Sequence, residues 1–354
     1  GMAPLGPTSA IVLATGRDPQ MRSSRPKALH RLCGRAMVMY VLDALVDFGV
    51  DRAVVVGGSS ELLNKKLSAT GPDLFVEFIE HDIHSGSAEA TLIGLTPFPS
   101  DLEDSRDVVV LPADMPLLGP DALGTLVAHH RMANAVCTVL TADGSVVDGP
   151  VVQRGADGRV SRLDSDQDPT DGEVGSGIFC FRQSVLGPAL RRIRPGYEDS
   201  EALHAVVEVL DVTGYAVEAV TAEDSHQLKR VVDRLDLADI EAAMRRRTNR
   251  RWLRAGVNMV DPDRTAIDTT VRLSPDVTLF PGTLLQGETV VGERAEIGPD
   301  TRLVDCAVGA DAVIEKTMAR DAEVGAGAHV GPFAVLEPGA HVDPGEATGA
   351  FYTA

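Results

Sequence analysis

The chain is short of positive charge: 33 lysines and arginines stand against 52 aspartates and glutamates over 354 residues, a formal net charge of −19. Proteins that grip a phosphate backbone usually carry a basic footprint over much of one face, so DNA and RNA are excluded as expected partners. Cysteine is sparse too. Cys33, Cys137, Cys180 and Cys306 are scattered with no CxxC spacing, three of them in or beside apolar runs, which argues against a disulfide framework or a zinc site. Nor is there an apolar run approaching the roughly 18 residues of a membrane span, or a basic segment leading into an apolar one at the N-terminus. Gly1 before Met2 reads as an expression-tag scar, and the expected location is the cytoplasm, away from any membrane.

What is present is 44% hydrophobic residues, enough for a large buried core. From Ala10 to about Val220, apolar runs such as Ala10–Leu13, Ala53–Val56, Leu74–Ile79, Val108–Leu111 and Ala135–Leu140 alternate with helical patterns at Met37–Phe48, Glu61–Ser68, Ala88–Leu95 and Ala122–Met132. Continuous rather than alternating apolar strands predict an α/β unit with a mostly parallel sheet covered on both faces. A ligand site is then expected beyond the C-terminal ends of the strands. Pro150–Leu163 reads as a hairpin turning around Gly155–Gly158, Ile178–Phe181 as a further strand, and Ser165–Gly172 as a polar loop. Ser225 to Arg254 reads as one long helical stretch with an arginine-rich end, taken as a solvated linker helix.

Beyond Ala266 the period changes. Leu285, Val291, Ile297 and Leu303 recur every six residues, followed by Val308, Ile314, Val324, Val330, Leu336 and Val342, several with glycine directly after. Such a period sends one aliphatic side chain per face into the axis of a β-helix and places small residues at its corners. At about 18 residues per coil, the stretch makes four or five coils.

Three segments of the first unit could carry chemistry. The first strand runs into a loop with Gly16 and the arginines Arg17 and Arg22, and then reaches Lys27 behind Pro26. Backbone N–H groups and a lysine so placed suit phosphoryl oxygens, although an ordinary surface lysine would look the same. "VVVLPADMPLL" presents Asp114 at a strand end between Pro112 and Pro116, either to a Mg²⁺ ion bridging phosphates or as a turn cap. "EHDIHSGSAEA" sets His81 and His84 before a helix start at Gly86-Ser87; the HxxH spacing has no third metal ligand in view.

In order along the chain, "RPKALHRLCGRAM", "PADMPLL", Gly86-Ser87, "GSGI" at Gly175–Ile178, the long helix, "RAGVNMVDPDRTAID" and the hexapeptide repeats resemble the bifunctional N-acetylglucosamine-1-phosphate uridyltransferase/glucosamine-1-phosphate acetyltransferase family. The resemblance implies a Rossmann-like pyrophosphorylase domain over 8–224, a helical arm over 225–265 and a left-handed β-helix over 266–354 that trimerises in that family. The implied reaction is attack of a sugar-1-phosphate oxygen on the α-phosphorus of UTP with release of pyrophosphate, which needs positioning and charge neutralisation rather than a covalent nucleophile. By the same resemblance Lys27 would hold the phosphates, and Arg17 or Arg22 is the substitute for the family's loop arginine, whose place Gln20 takes. The nucleotide would also lie against Leu13, Ala14, Gly16, His81, His84, Gly86 and Ser87, and the sugar against Gly149, Glu173, Gly175 and Ser176. Asp114 would bind Mg²⁺. The family's second metal ligand, an asparagine, aligns with Val232, which cannot coordinate, and Asp233 is the neighbouring substitute.

Other departures are informative. In "GRDPQM" the family's second glycine is missing, its arginine has become Gln20, Pro19 removes a backbone donor, and Asp18 adds a negative charge. The family's acetyl-transfer histidine segment is not in this sequence, so acetyl transfer is not expected of it. Two readings follow: a Mg²⁺-dependent nucleotidyltransferase acting on a nucleoside triphosphate and a sugar-1-phosphate, or a paralogue that binds nucleotide without turnover in a regulatory or scaffolding role. Cytidylyl or guanylyl transfer is the runner-up chemistry, since "ADMPLL" also looks like the segment of molybdenum-cofactor nucleotidyltransferases.

Overall fold

A computed structural model describes residues 7–15, 19–58, 74–81, 86–99, 106–169, 172–195 and 202–354. The chain divides into two compact units, residues 1–30 with 36–236, and residues 31–35 with 237–354.

The first unit is built on a sheet whose main path runs Val217–Thr221, Cys137–Asp143, Glu173–Arg182, Asp107–Pro112, Thr8–Ala14, Arg52–Gly57, Phe75–Glu80. Thr8–Ala14 sits in the interior with parallel partners on both sides, Ile11 facing Val54 on one and Val110 on the other. Successive residues of these strands enter opposite cores. Ala10, Val12, Val55 and Leu111 pack with the helices Met37–Phe48 and Pro120–Met132, whereas Ile11, Val54, Val56 and Val110 pack with Ser87–Gly94, Gln183–Leu190 and Ala205–Val212. Burial on both faces is why these strands read as unbroken apolar runs. The predicted hairpin forms, Val151–Arg154 against Val160–Asp164. The predicted helical pattern at Glu61–Ser68 lies outside the described residues.

On the main path one strand runs against the rest. Glu173–Arg182 is antiparallel to both of its principal neighbours, and its register on Cys137–Asp143 breaks between Gly175 and Ile178. Because it runs backwards, its start lies level with the C-terminal ends of the parallel strands. There Gly177 has φ +94°, a conformation that suits glycine, and comes close to Pro112.

The stretch read as one helix from Ser225 is a short 3-10 turn, Ser225–Leu228, and a separate helix, Arg234–Arg254. The break falls at Lys229–Asp233, where Val231 N–H donates to the Asp114 carbonyl at 2.9 Å instead of to a helical partner.

The second unit stacks three parallel five-stranded sheets, the faces of a short β-helix whose first strand is Asn258–Met259. Its core is columnar. Leu279, Ile297, Ile314 and Val330 stand in register on one face, Leu285, Leu303, Ala319 and Leu336 on the second, and Val291, Val308, Val324 and Val342 on the third. All are buried. Backbone corners are taken by residues at positive φ, many of them aspartate, such as Asp276, Asp300, Asp305 and Asp311. Aspartate tolerates this region better than most side chains.

Candidate active site

A cavity of about 340 Å³ opens at the C-terminal ends of the central strands. Leu13 and Thr15 come from the end of the first strand, Pro112 from the strand beside it, and Gly86 and Ser87 from a helix start. Asp148, Gly149 and Pro150 lead into the hairpin, Gly175, Ser176 and Gly177 open the antiparallel strand, and Leu203, His204 and Arg230 close the lining. Of the residues expected to contact nucleotide or sugar, Leu13, Gly86, Ser87, Gly149, Gly175 and Ser176 therefore share one cavity. The glycines are sterically required at one point. A Cβ on Gly149 would collide with the Gly175 carbonyl oxygen, and Gly175 N–H already donates to the Pro150 carbonyl at 2.9 Å.

Asp114 lies just past its strand because the ladder continues one residue further, with Ala113 N–H donating to the Leu13 carbonyl at 3.0 Å. Its carboxylate is buried and held by two cations. Lys27 Nζ donates to Oδ2 at 2.7 Å, Arg230 Nε to Oδ1 at 2.8 Å, and Arg230 Nη2 to Oδ2 at 3.1 Å. The side chains of Asp114 and Arg230 are 5% and 42% exposed, so the guanidinium reaches from the buried acid toward the cavity it lines. Burial alone would push the Asp114 carboxyl up, but the charges of Arg230 and Lys27 overcome it and hold the group below the usual carboxylate range. Lys27 is positioned by a 3-10 turn behind Pro26, with His30 N–H donating back to its carbonyl at 3.0 Å.

Several expected residues are used differently. Asp233 caps the helix Arg234–Arg254: its Oδ1 accepts from Asp236 N–H at 2.8 Å, while Asp236 Oδ2 accepts from the Asp233 and Val232 N–H groups at 3.3 and 3.0 Å. Glu173 is absent from the cavity wall. It accepts from Arg154 Nη2 at 2.8 Å and from Thr141 Oγ1 at 2.6 Å, a sheet-surface ion pair. Ser176 lines the cavity, but its hydroxyl donates to the Leu140 carbonyl at 2.6 Å and accepts from Ile178 N–H at 3.1 Å, satisfying the break in register. Ser87 Oγ accepts from Leu203 N–H at 2.7 Å. The His81 backbone N–H donates to the Gly57 carbonyl at 2.9 Å, and neither His81 nor Ala14 is part of the lining. Arg22 is exposed at φ +47°. Gly16, Arg17 and His84 lie outside the described residues.

Sequence reading missed Arg230, His204, Asp148 and Thr15. Arg230 stands two residues before Val232, but nothing in the sequence around it points to Asp114.

The MobA-like NTP transferase domain family matches residues 10–260. The bifunctional protein GlmU of Streptomyces avermitilis is 36% identical over 347 residues, 96% of this chain and 71% of that protein. The chain belongs to the GlmU family. GlmU of Pseudarthrobacter chlorophenolicus is 38% identical over 357 residues, covering 98% of this chain and 72% of its own length. The chain thus spans a little over two thirds of these GlmU proteins. Among solved structures, the inositol-1-phosphate CTP transferase from T. maritima aligns with a TM-score of 0.50 at 19% identity, over 66% of this chain and 93% of that one, a likeness of fold. GlmU-family membership makes this a member of a sugar-1-phosphate nucleotidyltransferase family, in which metal dependence is typical.

Proposed function

We propose that this chain is a nucleotidyltransferase that takes a nucleoside triphosphate, UTP, and a sugar-1-phosphate such as N-acetylglucosamine-1-phosphate into the cavity, and joins them with release of pyrophosphate. The observation that carries the reading is a cavity at the strand ends with glycine-lined walls and Arg230 in its lining, the guanidinium sharing the Asp114 carboxylate with Lys27 behind it. The sugar-phosphate oxygen attacks the α-phosphorus in line, and pyrophosphate leaves with its electron pair. What such a step asks of protein is alignment and positive charge along the phosphates. Lys27 and Arg230 supply the charge; Gly86, capping the helix Ser87–Gly94, turns backbone N–H groups toward anionic oxygen. Gly149 and Gly175 give the sugar close approach to backbone.

The residues proposed for Mg²⁺ do not fit a protein-held dication. Both Asp114 oxygens already accept from cations, Asp233 is a helix cap, and Val232 has no donor atom. No group of three or more His, Cys, Asp or Glu residues suited to a metal occurs among the described residues.

The test is pyrophosphate release with each of the four NTPs against a panel of sugar-1-phosphates, comparing wild type with Lys27→Ala and Asp114→Asn. Turnover is expected with UTP, reduced on the order of 100-fold in Lys27→Ala. Turnover no higher than the Asp114→Asn background for every NTP would leave the second reading, nucleotide binding without catalysis. That reading is favoured by the loop in which Pro19 lacks a donor and Arg22 points to solvent. Calorimetric titration with UTP then decides whether the cavity binds nucleotide at all.

On the β-helix, Leu284, Met318 and Val335 stand outward and exposed on one sheet, with the exposed Phe333 and Phe351 rings stacked 5.3 Å apart beside it. This apolar face supports self-association, for which a homotrimer is the proposed state. Gel filtration across a range of concentrations tests it, and a monomer throughout would overturn it. Cytoplasmic location is part of the same proposal; no helix among the described residues is long and apolar enough to cross a membrane.

A further inference from the structure

The place where a metal-binding carboxylate was expected is already filled with positive charge. Asp114 accepts from Lys27 and from two nitrogens of Arg230, at 2.7 to 3.1 Å. A divalent ion ligated there would face two like charges at close range, and would have to displace three charge-assisted hydrogen bonds from a buried acid. Its second ligand would be missing as well, since Val232 is apolar and Asp233 and Asp236 cap one another's backbone. Arg230 lines the cavity with its guanidinium plane fixed by the Asp114 contacts at Nε and Nη2. Its Nη1 would lie 3.6 Å from a Cβ at Gly177, a cavity residue, so this end of the plane points along the cavity wall. A guanidinium fixed in this way presents planar donors suited to phosphate oxygens.

We propose that Arg230, braced by Asp114, occupies the role a divalent ion would otherwise fill and receives the phosphates of the nucleotide directly, so that this chain binds nucleoside triphosphate without metal. The inference rests on the nucleotide-binding reading of the same cavity. It differs from that reading in what it forbids: a metal requirement for binding.

Calorimetric titration of UTP into the full chain, in EDTA and in millimolar Mg²⁺, tests it. Wild type is expected to bind with dissociation constants within about threefold of each other. Arg230→Gly is expected to weaken binding in EDTA by about 10- to 100-fold, and Arg230→Lys to lie between, because a lysine keeps the charge and loses the fork. Arg230→Gly combined with Val232→Asn rebuilds a two-ligand set with Asp114, and its UTP binding should become dependent on Mg²⁺. Thermal melts of each variant confirm that the fold is kept. If wild-type binding needs Mg²⁺, the inference falls while the nucleotide-binding reading stands. Equal binding by wild type and Arg230→Gly in EDTA removes Arg230 from the role. Binding of no nucleotide under either condition overturns both.

Discussion

The β-helix and the sheet unit solve burial in opposite ways. In the β-helix each coil repeats the same answer, one aliphatic side chain per face, so that Leu285, Leu303 and Leu336 are near-copies of one another in environment. In the sheet unit every position is bespoke: Ile11 and Val12 are consecutive and enter different cores. Repetition makes a structure readable and chemically bland. The irregular unit is the one that brings Lys27, Asp114 and Arg230 together, across separations of 87 and 116 residues.

The largest effect that would sharpen this contrast is Leu303→Ala, which empties a wholly buried site in the middle of a column and should cost about 2–5 kcal/mol. Trp252, the only tryptophan in the sequence, packs on the β-helix core and reports its unfolding by fluorescence. If the two units unfold independently, denaturant melts followed by fluorescence will move and those dominated by the sheet unit's helices will not; equal shifts in both would show one cooperative block.

Asp114→Ala probes the other side. It leaves two cations facing each other and should cost about 2–3 kcal/mol, less than a fully buried pair because Arg230 is partly exposed, with the Trp252 transition unmoved. The Asp114 carboxyl is held below its unfolded value, so its stabilisation is complete above about pH 4 and is lost as pH falls further. The variant's penalty should shrink over the same range; a penalty unchanged down to pH 2 would contradict the ion-pair account.

Gly149→Ala comes next, at about 1–3 kcal/mol, because the new methyl meets the Gly175 carbonyl. Sugar-1-phosphate binding should weaken with it, and a variant with wild-type melting and binding would show that the backbone approach is not tight.

Smallest is Asp268→Asn in the β-helix unit, at about 1 kcal/mol or less. Burial pushes this carboxyl up, though its Oδ2 accepts from Gly287 N–H at 3.0 Å. A raised carboxylate pKa means that wild-type stability declines as pH rises from about 4 through the folded value. The asparagine keeps an acceptor and lacks that titration, so thermal melts should show the variant equal to or above wild type at pH 7, with no advantage at pH 3.

Legibility in the sequence follows the same contrast. The hexapeptide columns were readable because inward-facing residues recur at fixed spacing; Ala319, which fills a rung between Ile314 and Val324, escaped because alanine carries little aliphatic signal. In the sheet unit, Met37–Phe48 and Asp107–Pro112 were visible as runs, but the antiparallel setting of Glu173–Arg182 was not, since periodicity says how a strand is buried and nothing about its neighbours. Asp114 was conspicuous between its prolines. Its partner Arg230 was not, because an arginine in a short connection carries no local pattern, and only the fold brings it to the acid. Asp233 looked like a ligand when judged by its neighbour Val232. The spacing Asp233 to Asp236 at a helix start pointed to a cap.

In the β-helix, inward columns and outward residues alternate along the same short strands, so Leu284, Arg302, Met318 and Val335 sit in register on the outside without entering the core. Interior and exterior are thus separately editable. Natural variation can rewrite what the face recognises, residue by residue, while the fold that displays it stays the same.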